Sequence, residues 1–172
     1  MEQERFDSDV FFAGGADADR IPYIAALRKA GLRVALYGSY WDRFRETRGM
    51  SGGQLDPKEL CRRLAASKVA LCLVRRANRD GHSMRSFEVP AAGGCMLAED
   101  TAEHREVFGG DGEAVTYFST PREMLDRANW LVSHGAEREH LAQNAHNLVR
   151  NGRHTYADRL RTILLTIGLS GK

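Results

Sequence analysis

The 172-residue chain is poor in cysteine and proline, has no excess of charge of either sign and has no long hydrophobic run. Its three cysteines, Cys61, Cys72 and Cys95, are odd in number, widely spaced and set among apolar neighbours, which argues against a disulfide framework or a zinc knuckle and fits a reducing cytoplasm. Twenty-five basic residues face twenty-three acidic ones, for a net charge of +2, without long single-sign blocks. Nucleic acid is therefore not an expected partner, and any recognition of phosphate should be local. The first residues are charged and polar, and no apolar run approaches the length that crosses a bilayer, so no membrane span is expected. His82 and His104 are too isolated to pair on a metal, and no metal site is expected.

What the chain does have is a steady alternation of short apolar runs and helical periodicity. Strands are expected at about residues 10–13, 32–37, 69–74, 95–98 and 114–118. Between them, helices are signalled by Pro22 ahead of Ile24 and Leu27, by Asp56-Pro57 ahead of Leu60 and Leu64, and by Pro121 ahead of Met124, Ala128 and Leu131. Two more helices, at about 137–150 and 155–167, carry apolar stripes that usually serve a core: Leu141, Ala145 and Leu148, then Tyr156, Leu160, Ile163, Leu164 and Ile167. This rhythm predicts one α/β domain over residues 1–172, a Rossmann-like parallel sheet sandwiched by helices. The sheet core spans about 9–135 and the carboxyl-terminal helices 136–172.

The chain is organised around residues 80–100. The run at 69–74 has no polar member before Arg75, as in a strand buried on both faces. Asn78, Asp80 and Gly81 form a loop, Ser83 is placed to cap a helix over residues 84–92, and Gly93-Gly94 end it. A strand, a glycine-containing loop and a helix start make a phosphate site through the backbone amides of Gly81, His82, Ser83 and Met84. Glu88, in a mostly apolar helix, needs a partner, and two ribose hydroxyls would suit it. Arg85 either grips phosphate oxygens or faces solvent. Gly14-Gly15 after the first strand either brings backbone close to a phosphate or forms a plain turn. Tyr40, Trp41 and Phe44 among arginines either stack on a base or cover the sheet edge, and residues 49–53 read as mobile. Glu99, Asp100, Glu103 and His104 either border a site at the strand ends or cap a helix.

Asp80 and Glu88, with seven residues between them, resemble the acidic pair of group 1 retaining glycosyltransferases of the GT-B fold. The segment Asn78-Arg-Asp-Gly-His-Ser-Met-Arg-Ser-Phe-Glu-Val-Pro-Ala-Ala-Gly-Gly is similar to that of the spore-maturation CgeB-like glycosyltransferases. Met96-Leu-Ala-Glu-Asp-Thr-Ala-Glu-His, Glu113-Ala-Val-Thr-Tyr-Phe and His154-Thr-Tyr-Ala-Asp-Arg-Leu follow in the matching order, so the resemblance runs from about Asp9 to Leu165. It implies the carboxyl-terminal, nucleotide-sugar-binding half of such an enzyme, with UDP as the default nucleotide and no cofactor or catalytic metal. It also implies Asp80 near the sugar hydroxyls, Glu88 on the ribose, Arg20 towards the diphosphate unless its charge is solvated, and an amino-terminal acceptor domain supplied elsewhere. The final helix crosses to that domain in such enzymes, so an exposed apolar face on that helix is the alternative to a core stripe. A nucleotide-binding or regulatory module without transfer activity is the alternative.

Overall fold

Alternate residues of each apolar run are committed to opposite faces of one sheet, and this decides the layers. In the computed structural model, which describes residues 6–152 and 154–168, the strands are β1 (Ser8–Ala13), β2 (Val34–Tyr37), β3 (Ser67–Cys72), β4 (Met96–Glu99) and β5 (Thr116–Phe118). The helices are α1 (Ile21–Lys29), α2 (Pro57–Ala65), α3 (Arg85–Ala91), α4 (Ala102–Phe108), α5 (Pro121–Ser133), α6 (Gly135–Asn151) and α7 (Tyr156–Thr166). The strands lie in the order β2-β1-β3-β4-β5 and every pairing is parallel. This is the α/β sheet that the sequence predicts. The ends of the predicted 1–172 domain, residues 1–5 and 169–172, lie outside the described residues.

Val10 and Phe12 of β1, Val69 and Leu71 of β3 and Leu97 of β4 pack with Ile24 and Leu27 of α1 and Met124, Ala128 and Leu131 of α5. Phe11, Ala70, Cys72, Met96 and Ala98 point the other way, against Leu60 and Leu64 of α2, Val89 of α3 and Phe108 of α4. A strand apolar on both faces is what a parallel sheet covered on both sides requires. The chain leaves β1 for β2 on one side and returns past β1 to β3, so the direction of winding reverses between β1 and β3. A crevice opens at the carboxyl ends of strands at such a reversal.

Helix starts follow local chemistry. The Asp56 carboxylate accepts the Glu59 amide at 2.8 Å, Thr101 accepts the His104 amide at 3.0 Å and Thr120 accepts the Glu123 amide at 3.2 Å. Thr155 and Asp158 form a reciprocal capping box at α7. The run expected to stay in strand to residue 74 leaves the ladder after Cys72, although Leu73 and Val74 remain buried. The reason is local: the Val74 amide is taken by the Glu99 carboxylate at 3.1 Å instead of a neighbouring strand.

Three further expectations are corrected. The stripe on α7 is not core: Tyr156, Leu160, Ile163 and Ile167 are exposed and no residue of this helix is buried. Residues 49–53, which read as mobile, run along β2, with the Gly52 amide on the Leu36 carbonyl at 2.9 Å and the Gly38 amide on the Gly53 carbonyl at 2.8 Å. Cys61 is exposed on α2, unlike the buried Cys72 and Cys95. Between Tyr40 and Gly53, Trp41 is buried and donates its indole N–H to the Gly14 carbonyl at 2.9 Å, so it covers the sheet edge. Tyr40 is exposed, with the Arg43 guanidinium over its ring. Among the described residues no helix is long and apolar enough to cross a membrane.

Gly38 has φ +121°, and a Cβ there would fall on the Gly14 carbonyl. Gly38→Ala should therefore destabilise the fold by about 2–3 kcal/mol in urea denaturation; a loss below about 0.5 kcal/mol, the level of an ordinary surface change, would show that the two turns are free to separate. His104 is fully buried, and burial lowers its pKa from the ordinary 6.5 against the opposing pull of the Glu99 carbonyl. The unfolded chain thus takes up this proton first as pH falls. Stability should be complete above about pH 6.5 and decline below it towards the folded pKa, and His104→Gln should flatten that limb of a denaturation series between pH 7 and 5. An unchanged slope in the variant would rule His104 out as its source.

Candidate functional site

Where winding reverses, the ends of β1 and β3 and the loop after β3 enclose a cleft of about 310 Å³. Gly14, Gly15, Arg20, Arg75, Asp80, Ser83, Met84 and Arg85 line it, together with Phe12, Leu73 and Asn78. Most of the residues singled out from sequence therefore converge here. Gly14 and Gly15 do so as a turn whose carbonyls are both occupied, by Trp41 and by Arg20.

Arg20 stands just before α1, and its charge is not solvated on a helix surface. It is 8% exposed, donating to the Gly15 carbonyl at 2.9 Å and to the Leu73 carbonyl at 3.2 Å. Its Nε is buried without a hydrogen bond among the described residues, with Asp17 Oδ2 at 3.6 Å. Burial lowers its pKa, partly offset by Asp17 and reinforced by the like charge of Arg75. Arg85 is half-buried, donates from Nε to the Ala13 carbonyl at 3.3 Å and is ion-paired with Glu88. Burial lowers its pKa as well.

Arg75 completes the cluster. It is the first polar residue after the apolar run, a signal that could have placed it in the site, and its Nε lies 3.9 Å from Asp17. Asp17 and Asp19 have the spacing of an Asp-x-Asp metal motif, but Asp17 is engaged by both guanidiniums and by the Arg20 amide at 3.0 Å. The Asp80 carboxylate has no hydrogen-bond or ion-pair partner among the described residues.

Glu88 and His82 do not line this cleft. They border a second one, of about 300 Å³, with Phe87 of α3 and His154, Tyr156 and Arg159 of the final turn and helix. The clefts share Ser83 and Met84 as a common wall. The second is built from rings: His82, edge-on, and His154, tilted, each pack on Phe87 with centroids 5.2 Å from it, and the Arg159 guanidinium lies 5.8 Å from the same ring. Sequence reasoning missed this wall because its parts are some seventy residues apart and α7 read as core.

Two expectations about the centre are corrected. Ser83 does not cap α3: the helix begins at Arg85, and the Ser83 amide is taken by the Ser86 hydroxyl at 3.0 Å. The Met84 and Arg85 amides have no partner among the described residues. Nor do Glu99, Asp100 and His104 border the cleft. Glu99 is buried and holds Arg76 at 2.8 Å, Asp100 pairs with Arg105 at 2.6 Å, and His104 bonds Ser86 Oγ at 2.8 Å and the Glu99 carbonyl at 2.7 Å. Thr101, rather than the acidic pair, caps α4. The remaining acid, Glu103, packs over Gly81, where a Cβ would meet its carboxylate. A larger hollow of about 590 Å³ beside Asn144 and Asn151 contains none of the predicted residues.

No curated protein matches the sequence. Among solved structures, the sucrose-phosphate synthase of Thermosynechococcus elongatus superposes with a TM-score of 0.72 at 14% identity, over 95% of this chain and 46% of that one. The β-glucosyltransferase of T4 phage, in complex with its UDP-glucose substrate, superposes with a TM-score of 0.71 at 14% identity, over 95% and 50%. A carboxyl-terminal domain of a glycosyl transferase group 1 family protein from Francisella tularensis gives 0.63 at 16% identity, over 87% and 89%. The chain spans about half the length of the first two enzymes, and its fold is that of the carboxyl-terminal half of a GT-B glycosyltransferase. The model of the glycosyl transferase-like family matches residues 20–165, and the chain belongs to that family.

Proposed function

We propose that this domain holds the nucleotide-sugar donor of a retaining, CgeB-like glycosyltransferase, with UDP as its nucleotide. The observation that carries the reading is the convergence of Arg20, Arg75 and Arg85 at the reversal between β1 and β3, one wall away from a ring-lined cleft bearing Glu88. A diphosphate belongs in the first cleft. Guanidiniums offer paired N–H donors to phosphate oxygens, and the unpartnered amides of Met84 and Arg85 add two more.

The nucleoside continues over Met84 into the second cleft, where Glu88 accepts from ribose hydroxyls. Asp80 has a carboxylate free to accept from the sugar. Sugar transfer breaks the bond between the anomeric carbon and the diphosphate, and negative charge grows on the leaving phosphate. Fixed positive groups in a partly buried site stabilise that charge. In this reading the arginines supply it without a metal ion, and the acceptor reaches the sugar from a second domain or partner chain.

Calorimetric titration with UDP and with pyrophosphate tests the assignment of the two clefts. Arg75→Ala should weaken both ligands by roughly tenfold or more, the loss of one charged hydrogen-bonding group. Glu88→Ala should weaken UDP by a similar factor. It should leave pyrophosphate bound as tightly or more tightly, because Arg85 is released from its ion pair. Equal UDP binding by the parent and both variants, or none by the parent at millimolar concentration, would overturn the reading.

A further inference from the structure

We propose that His104, which touches neither cleft, is a positioning residue that holds the turn at residues 81–84 through Ser86. The proposal rests on the donor-site reading above only for what the turn does, not for how it is held. Both side chains are fully buried, so neither is open to a substrate as a nucleophile or base.

The protons can be assigned from chemistry. His104 Nδ1 lies 2.7 Å from the Glu99 carbonyl, which can only accept, so Nδ1 carries the proton of the neutral ring. Nε2 is then an acceptor, and the Ser86 hydroxyl, 2.8 Å away, donates to it. That fixes the hydroxyl proton and leaves its lone pairs for the Ser83 amide at 3.0 Å. The result is a one-way relay from the Ser83 amide through Ser86 and His104 to the end of β4.

A second tie comes from the same turn of α4. Thr101 accepts the His104 amide at 3.0 Å and donates its hydroxyl to the Gly81 carbonyl at 2.6 Å. The segment that walls both clefts is thus pinned at Gly81 and at Ser83, on its inner side, by the first turn of one helix. Its outer side, at Ser83 and Met84, faces both clefts. Loosening the inner ties should let that wall move without opening the sheet.

The test uses His104→Asn, Ser86→Ala and His104→Gln, each below its melting temperature. Asparagine reaches the Glu99 carbonyl but not Ser86, whereas glutamine reaches the position of Nε2. In His104→Asn and Ser86→Ala the Ser83 amide should exchange with solvent deuterium at least roughly tenfold faster, as expected for one lost buried hydrogen bond. Amides of β3 should be unchanged, and UDP affinity should fall by roughly fivefold. His104→Gln should recover most of both, a rescue that a general loss of stability would not give.

Unchanged Ser83 protection in the first two variants would overturn the proposal, as would faster exchange with UDP affinity unaltered, or exchange rising equally throughout β3. If the parent protein binds no UDP, the donor-site reading fails, and the exchange rates still decide whether His104 holds the turn.

Discussion

A buried guanidinium at the divide between β1 and β3 is the constraint on which the rest depends. Removing a charge from water is costly unless it is paired and hydrogen-bonded, and Arg20 meets that condition only in part. Two of its nitrogens are bonded to the carbonyls of Gly15 and Leu73, which ties the ends of the two strands together across the divide. Its third nitrogen is left to a longer ion pair with Asp17. Arg75 and Arg85 lie alongside, ion-paired with Asp17 and Glu88, so an anion in the crevice would face all three guanidiniums.

The shape of that crevice is set from behind. Gly38 must be glycine for the β2 turn to lie against Gly14, and Trp41 reaches over to the same carbonyl. On the other side, α4 holds the loop that follows β3. The arginine-lined cleft is a gap between two supported turns, and neither turn is a free loop. The second cleft adjoins it across a single pair of residues, Ser83 and Met84, so a ligand spanning both would touch arginine-lined and ring-lined surfaces without crossing bulk protein.

The sheet and most helix starts were legible because their signals are local: two-sided apolar runs, and Pro22, Asp56-Pro57 and Pro121 ahead of apolar residues at helical spacing. The arginine cleft was partly legible. Gly14 and Gly15 follow β1, and Asp80 and Arg85 lie in the loop and helix start that follow β3, all placed by the local pattern, but the order of strands, which brings β1 beside β3, is not written in any one segment. What could not be read was which partner each polar group takes, near or far along the chain. Ser83 looks like a helix cap until Ser86 is seen to take its amide, and His104 looks like a rim residue until the fold buries it. The stripe on α7 has a core pattern, yet nothing among the described residues covers it, and its first turn instead lends Tyr156 and Arg159 to the second cleft.

The most direct test of the account is a crystal structure of the domain with UDP bound. The two phosphorus atoms should lie between Gly15 and Arg85 with oxygens on the Arg20, Arg75 and Arg85 side, and the ribose hydroxyls should meet Glu88 beyond Met84. A nucleotide seated instead in the hollow beside Asn144 and Asn151, or lying the other way round with its base against the arginines, would contradict it.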